Sequence, residues 1–268
     1  MSQMVISIGF SIGGAGASTL ALITGALLAA QGNKVLIIDA SPVASISFVL
    51  AGTAKERPFL MDTNLDSEEV SDLVKVGLLG ALIDQAPGKH IISFSPNFHV
   101  LPNDGHLGFY LPRIYYDKSL RMRIEHDPFK QMTEKLKSDY NYIIVDTHYS
   151  GLSEISDMVI TSSDRIVLPL HARAYLPSKV ERTLELIEEK GLNRSNVIGV
   201  FRRGIDNDEC DLEVENKVKN QFGDILSRNF LPYNQSVQKA ACGYDSLMEE
   251  VKNRRIPAEY CCLISEFC

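Results

Sequence analysis

Short runs of β-branched and apolar residues alternate with helical patterns along almost the whole chain. That alternation restricts the fold more than any single motif does. MVISIG (4–9) is apolar on both faces, as a strand in the middle of a parallel sheet must be. STLALITGALLAAQ (18–31) follows as a helix closed by Gly32-Asn33, and KVLIID (34–39) is a second buried strand. From Ser41 to about residue 85 the pattern is mostly helical, with an acidic start at DSEEVSDLV. HIISFS (90–95) and FHVLP (98–102) come next, then an amphipathic helix over 128–138 and the run YNYIIVD (140–146). DRIVLPL (164–170), NVIGVF (196–201) and ILSRNFLP (225–232) read as further strands, separated by helices over 176–191 and 209–223. A last long helix is expected over 236–253. Strands spaced by helices in this way predict an α/β fold, a mostly parallel sheet with helices on both faces.

No linker or break in composition divides the 268 residues, so 1–255 is expected to form one domain, with 256–268 a packed C-terminal tail. The formal net charge of −7 gives the molecule no general attraction for nucleic acid or an anionic membrane, so either partner would need a local basic patch. LALITGALLAA (20–30) is the most apolar stretch and is too short to span a bilayer. MSQMVISIG has neither the basic start nor the long apolar run of a secretory signal. The five cysteines make no CxxC pair, so a reducing, cytoplasmic setting is expected.

SIGGAGASTLAL (11–22) lies between the first strand and the first helix. In a phosphate-binding loop, glycines let backbone N–H groups turn onto phosphate oxygens. The next helix adds its N-terminal dipole, and its first Ser or Thr binds Mg²⁺. Gly13, Gly14 and Gly16, with Ala15 and Ala17 between and after them, then Ser18 and Thr19, supply this pattern. The lysine that normally neutralises the β- and γ-phosphates is absent, because Ala17 holds its place. A dinucleotide fold competes: Gly14-x-Gly16 is present and Asp39 ends the second strand, but Thr19 stands where a third glycine belongs. YIIVDT favours the phosphate reading, since Asp146 at a strand end can hold a loop-bound Mg²⁺. His148 comes close behind, towards the far end of a bound phosphate chain.

These residues resemble the ParA/MinD superfamily of deviant-Walker ATPases over most of residues 4 to 250. GGAGAST and KVLIIDASP keep the order of that family's KGGxGKT loop and IDxDP segment. YNYIIVDTHYSGLSEISDMVITSSDRIVLPL resembles its second Walker strand with the next helix and strand. NVIGVFRR and FLPYNQSVQKAACGYDSLME resemble its adenine-side and closing segments. The GASTLA and GLSE wording is most similar to the TadZ/CpaE branch, whose members position pilus-assembly machinery.

The resemblance also exposes what is missing. The family's signature lysine would stand at Ile12, its conventional loop lysine at Ala17, and the second acid of IDxDP at Ser41. It implies nucleotide contacts from Gly13 to Thr19, with Arg203 and Pro232 on the base side. Mg²⁺ would be held by Ser18, Asp39 and Asp146, and the two acids would be the catalytic ones in an active enzyme. A cradle without its charges implies ATP or ADP with Mg²⁺ held weakly or not at all, and little hydrolysis. The expected role is spatial positioning or scaffolding, as a homodimer acting on a protein partner or cargo. An active partition ATPase acting with DNA is one alternative, and an NAD(P)-binding oxidoreductase is another.

Two further features bear on partners. Arg113, Lys118, Arg121 and Arg123, with Arg202-Arg203 and Arg254-Arg255, are the basic clusters through which nonspecific DNA binding would act. The tail IPAEYCCLISEFC puts Tyr260, Leu263, Ile264 and Phe267 at helical spacing among acidic rather than basic residues. Packing is therefore expected of it, not membrane insertion.

Overall fold

A computed structural model describes residues 3–10, 13–51, 77–103, 107, 127–148, 154–171, 177–202 and 209–267. Within them a seven-stranded sheet runs in the order β3-β4-β2-β5-β1-β6-β7. Its strands are β1 (Met4–Ile8), β2 (Val35–Asp39), β3 (Ile92–Ser95), β4 (Phe98–Leu101), β5 (Tyr142–Asp146), β6 (Arg165–His171) and β7 (Val197–Arg202). Every pairing is parallel except the edge pair β3–β4, which is antiparallel and irregular between Ser93 and Ser95.

Alternate strand residues face opposite sides of a sheet, and here both sides are apolar. Val5, Leu36, Ile143 and Ile166 join one buried cluster, whereas Ile6, Ile37, Ile144 and Val167 join the other. The first cluster is covered by α3 (Leu78–Asp84), α4 (Pro128–Lys137), α5 (Glu154–Ser162), α6 (Pro177–Glu189) and α7 (Glu209–Phe222). The second is covered by α1 (Ala17–Ala30), α2 (Ser45–Ala51), α8 (Gln235–Ala240), α9 (Tyr244–Lys252) and α10 (Ala258–Phe267). Helices therefore lie on both faces, as the alternation in the sequence predicts.

Helix α1 explains its own composition. It lies against β1, β2, β4 and β5 on its inner side and meets α2, α8, α9 and α10 elsewhere. A helix enclosed in this way needs apolar residues nearly all round, and Leu20 to Ala26 are all buried. The run that is too short for a membrane is the inner helix of a layered core. At Gly25 the helix meets the sheet so closely that a Cβ would stand 2.8 Å from Ile37 Cδ1.

Two expected elements differ. Residues 225–232 do not form a strand: they pair with β7 through isolated bridges, Gly199 with Leu226 and Arg202 with Leu231. The segment nevertheless runs along the sheet edge, which is why it reads as β in sequence. The expected helix over 236–253 is two helices, α8 and α9, because Gly243 adopts a backbone (φ 152°) outside the helical region. Most of the helical stretch expected after Ser41 lies outside the described residues.

The segment 256–268 is packed where described. Tyr260, Leu263, Ile264 and Phe267 of α10 are all buried, in the arrangement their helical spacing predicts. Among the described residues, no helix is long and apolar enough to cross a membrane.

Candidate functional site

β1 and β5 are neighbours, yet the chain leaves them towards opposite faces, to α1 on one side and α5 on the other. In an open α/β sheet this divergence opens a crevice at the carboxyl ends of the strands, where ligands bind. The loop before α1 and the acids ending β2 and β5 all meet there. Gly14 and Gly16 have φ of 87° and 88°, a left-handed backbone natural to glycine. Helix α1 begins at Ala17 with no side chain capping its first turn. Its leading N–H groups are left without intrahelical partners at a positive dipole end. Gly13 and Gly14 are exposed, Gly16 to Thr19 half-buried.

Asp39 and Asp146 stand side by side in register across β2 and β5, and both are fully buried. Their surroundings differ. Asp39 accepts from Ser41 N–H (3.1 Å), Ser47 N–H (2.8 Å) and Ser47 hydroxyl (2.7 Å). Asn103 extends this network: its side-chain amide donates to the Ser41 carbonyl (2.6 Å) and its backbone N–H to the Ser47 hydroxyl oxygen (2.8 Å). Burial pushes the Asp39 carboxyl up to about 6, with the Ser47 bonds pulling the other way. Neither oxygen of Asp146 has a well-aligned hydrogen-bond partner among the described residues. Burial, and then the neighbouring Asp39 charge, hold its pKa well above the ordinary carboxylate range. The Ser18 hydroxyl faces it and opposes that rise. Of the two acids, Asp39 is committed to the backbone after β2, and Asp146 is unclaimed.

Two further side chains frame the loop. A Cβ on Gly13 would meet His148 Cε1 at 3.6 Å, so the imidazole lies beside the loop as its sequence position suggests. Arg202, the last residue of β7, lies against Gly14 and Gly16 from the other side of β1. Its Nη2 donates to the Gly14 carbonyl (3.3 Å), and its Nε is buried without a partner. A small pocket opens there, lined by Gly16, Thr19, Pro169, Arg202, Leu231 and Tyr260. Burial pushes the Tyr260 hydroxyl up to about 12, against the pull of the Arg202 charge.

The structure thus brings Gly13, Gly14, Ala15, Gly16, Ala17, Ser18, Thr19, Asp39 and Asp146 to one end of the sheet. Pro232 is half-buried and next to Leu231, which bridges to Arg202. Ile12 and Arg203 lie outside the described residues, as do Arg113, Lys118, Arg121 and Arg123. Arg255 is paired with Glu250 (3.1 Å) and Glu249 (3.8 Å), which reduces its availability to a polyanion. Arg202, Tyr260, Ser47 and Asn103 were not legible as site residues. The one available signal was the Arg202-Arg203 pair, of which Arg202 is the last residue of β7.

Residues 3–197 match the family model described as an AAA domain. The chain is 26% identical over 242 residues to the sporulation initiation inhibitor protein Soj of Bacillus subtilis (strain 168), covering 88% of this chain and 87% of that one. In structure it is similar to apo McdA of Cyanothece, with a TM-score of 0.71, 20% identity and 98% of each chain covered. It is also similar to a plasmid partition protein of Borrelia burgdorferi B31 bound to AMPPNP, with a TM-score of 0.65, 21% identity, and 96% and 100% covered. Of the readings open to the glycine-rich loop, these likenesses fall on the phosphate-binding one. With a family model matched over most of its length and relatives of this kind aligned along nearly all of it, the chain belongs to the ParA/MinD superfamily of P-loop ATPases.

Proposed function

We propose that this protein is a ParA/MinD-like positioning or scaffolding protein that holds ATP or ADP with Mg²⁺ at Gly13–Thr19 and hydrolyses it slowly at most. The observation that carries this reading is Asp146, a fully buried carboxyl with neither oxygen hydrogen-bonded among the described residues, facing Ser18 at the uncapped start of α1. An orphaned pair of buried oxygens is costly, and a bound divalent cation would relieve the cost. Ser18 and Asp146 would hold Mg²⁺, with Asp39 behind them. The loop N–H groups would hold the phosphates. Mg²⁺ would supply charge neutralisation of the phosphate chain.

Slow turnover is expected from the surroundings of the cradle. Ala17 carries no charge to the β- and γ-phosphates. Ser41 replaces an acid, and its N–H and carbonyl are tied to Asp39 and Asn103. Losing cationic stabilisation of a transferring phosphoryl group can cost about 10³-fold or more in rate. The same reading takes 1–255 as one functional unit, its copies pairing across the loop face in the cytoplasm and acting on a protein cargo. Likeness to a plasmid partition protein bound to AMPPNP keeps the active partition ATPase in view as the second reading.

Titration calorimetry with ATP, ADP and NADH, each with Mg²⁺, and phosphate-release assays with and without duplex DNA test this. ATP and ADP binding with scarcely measurable turnover is expected. Rapid hydrolysis abolished by Asp146→Ala would favour the partition enzyme, and NADH binding alone would sink both.

A further inference from the structure

The loop lacks cations at Ile12 and Ala17 while two buried acids stand beside it, so a phosphate chain would meet an electronegative site. Among the described residues, Arg202 is the cation brought to the loop from elsewhere. Arg202 ends β7, paired with His171 of β6, and its side chain crosses to the loop after β1.

Three details define that placement. Gly16 is open on the side where Arg202 lies: a Cβ there would be 2.7 Å from Nη1 and 3.4 Å from Cζ, so a larger residue would displace the guanidinium. The Gly14 carbonyl is the one acceptor Arg202 has among the described residues, and at 3.3 Å on an exposed edge it is a weak one. Nε is a buried donor with no acceptor among them. A guanidinium presents N–H groups in a planar fork that fits two phosphate oxygens at once, so spare donors beside an anion cradle are a recognition element.

We propose that Arg202 replaces the missing loop lysines as the phosphate-binding cation of this site, serving nucleoside di- and triphosphates alike. This rests on the nucleotide-binding reading above. Arg202 approaches from the Thr19 side, through the pocket it shares with Tyr260, whereas Asp146 faces Ser18. Its charge therefore falls on the phosphates nearer the nucleoside. Among the described residues, no lysine or arginine is hydrogen-bonded to the loop on the Ser18–Asp146 side, where hydrolysis would occur. The displacement gives a site that holds a nucleotide without the charge needed to cut it.

The test compares wild-type protein with Arg202→Gln and Arg202→Lys, each titrated with ADP and with ATP in the presence of Mg²⁺, alongside thermal melts without nucleotide. Loss of a charge-assisted bidentate contact should weaken binding by about 10-fold or more in Arg202→Gln. The loss should be equal for ADP and ATP, with Arg202→Lys recovering part of it. Arg202→Lys keeps the experiment decisive if the glutamine variant melts early, because a structural role predicts no charge-dependent recovery. Wild-type protein that binds neither nucleotide would overturn the underlying reading and this proposal together. Tight wild-type binding that Arg202→Gln leaves unchanged, or a loss confined to ATP, would overturn this proposal alone.

Discussion

Replacing Asp146 with Asn should make the nucleotide-free protein more stable at neutral pH. The carboxyl is fully buried, has no well-aligned hydrogen-bond partner among the described residues and faces a second buried acid. Asparagine leaves a polar group at the site but cannot ionise, so what is recovered is the cost of holding a charge in a buried place beside a second acid. Taking about 2 kcal/mol as recovered, the melting temperature of a chain this size rises by roughly 4 °C. The gain must depend on pH. Both acids have folded-state pKa values above their ordinary 3.8, so folding favours their protonated forms. The stability this provides is full below about pH 3.8 and is lost as pH rises through the folded values, about 6 for Asp39 and also raised for Asp146. Melts of wild type and Asp146→Asn should therefore converge near pH 4 and separate above pH 6. Added Mg²⁺ and ATP should stabilise the wild type and leave the variant unmoved. A variant that melts below wild type at pH 7.5, or a difference that does not change with pH, would refute the idea of an uncompensated buried carboxylate.

Leu263→Ala should cost about 2–5 kcal/mol in urea unfolding, since a fully buried leucine on α10 leaves a cavity against the core containing α1. Gly9→Ala should be more disruptive than most substitutions, because its Cβ would lie 2.1 Å from the Thr147 backbone oxygen beside Asp146. A loss above about 3 kcal/mol, or insoluble expression, is expected. Removing Mg²⁺ with EDTA should abolish ATP binding in calorimetry, because with no loop lysine the metal supplies most of the neutralising charge. Undiminished binding in EDTA would contradict that.

The layering of the fold was legible because both its signals are local: apolar runs of strand length, and glycines that close helices at Gly32 and Gly191. The loop and its acids were legible for the same reason, each set by residues adjacent in the chain. What escaped was long-range. Arg202 reaches a loop 188 residues earlier in the sequence, and Asn103 meets Ser41 across 62 residues. No periodicity encodes such contacts. Residues 225–232 carry strand composition without strand pairing, because apolarity marks burial at a sheet edge and not the hydrogen-bond ladder. Asp39 and Asp146 look equivalent in sequence. Only the placement of Ser47, eight residues beyond Asp39, separates a carboxyl that organises the chain from one that is free.

The enclosure of α1 has a consequence for how the chain is made. Its outer cover comes from residues 235–267, so the helix that carries the phosphate loop leaves the ribosome long before its cover exists. At ~5–20 residues per second the delay is roughly 10–50 s. During that time one of the most apolar stretches of the protein has only its sheet-side partners and α2 to meet. The helix that carries the anion cradle is therefore fully covered only once residues 235–267 have been made.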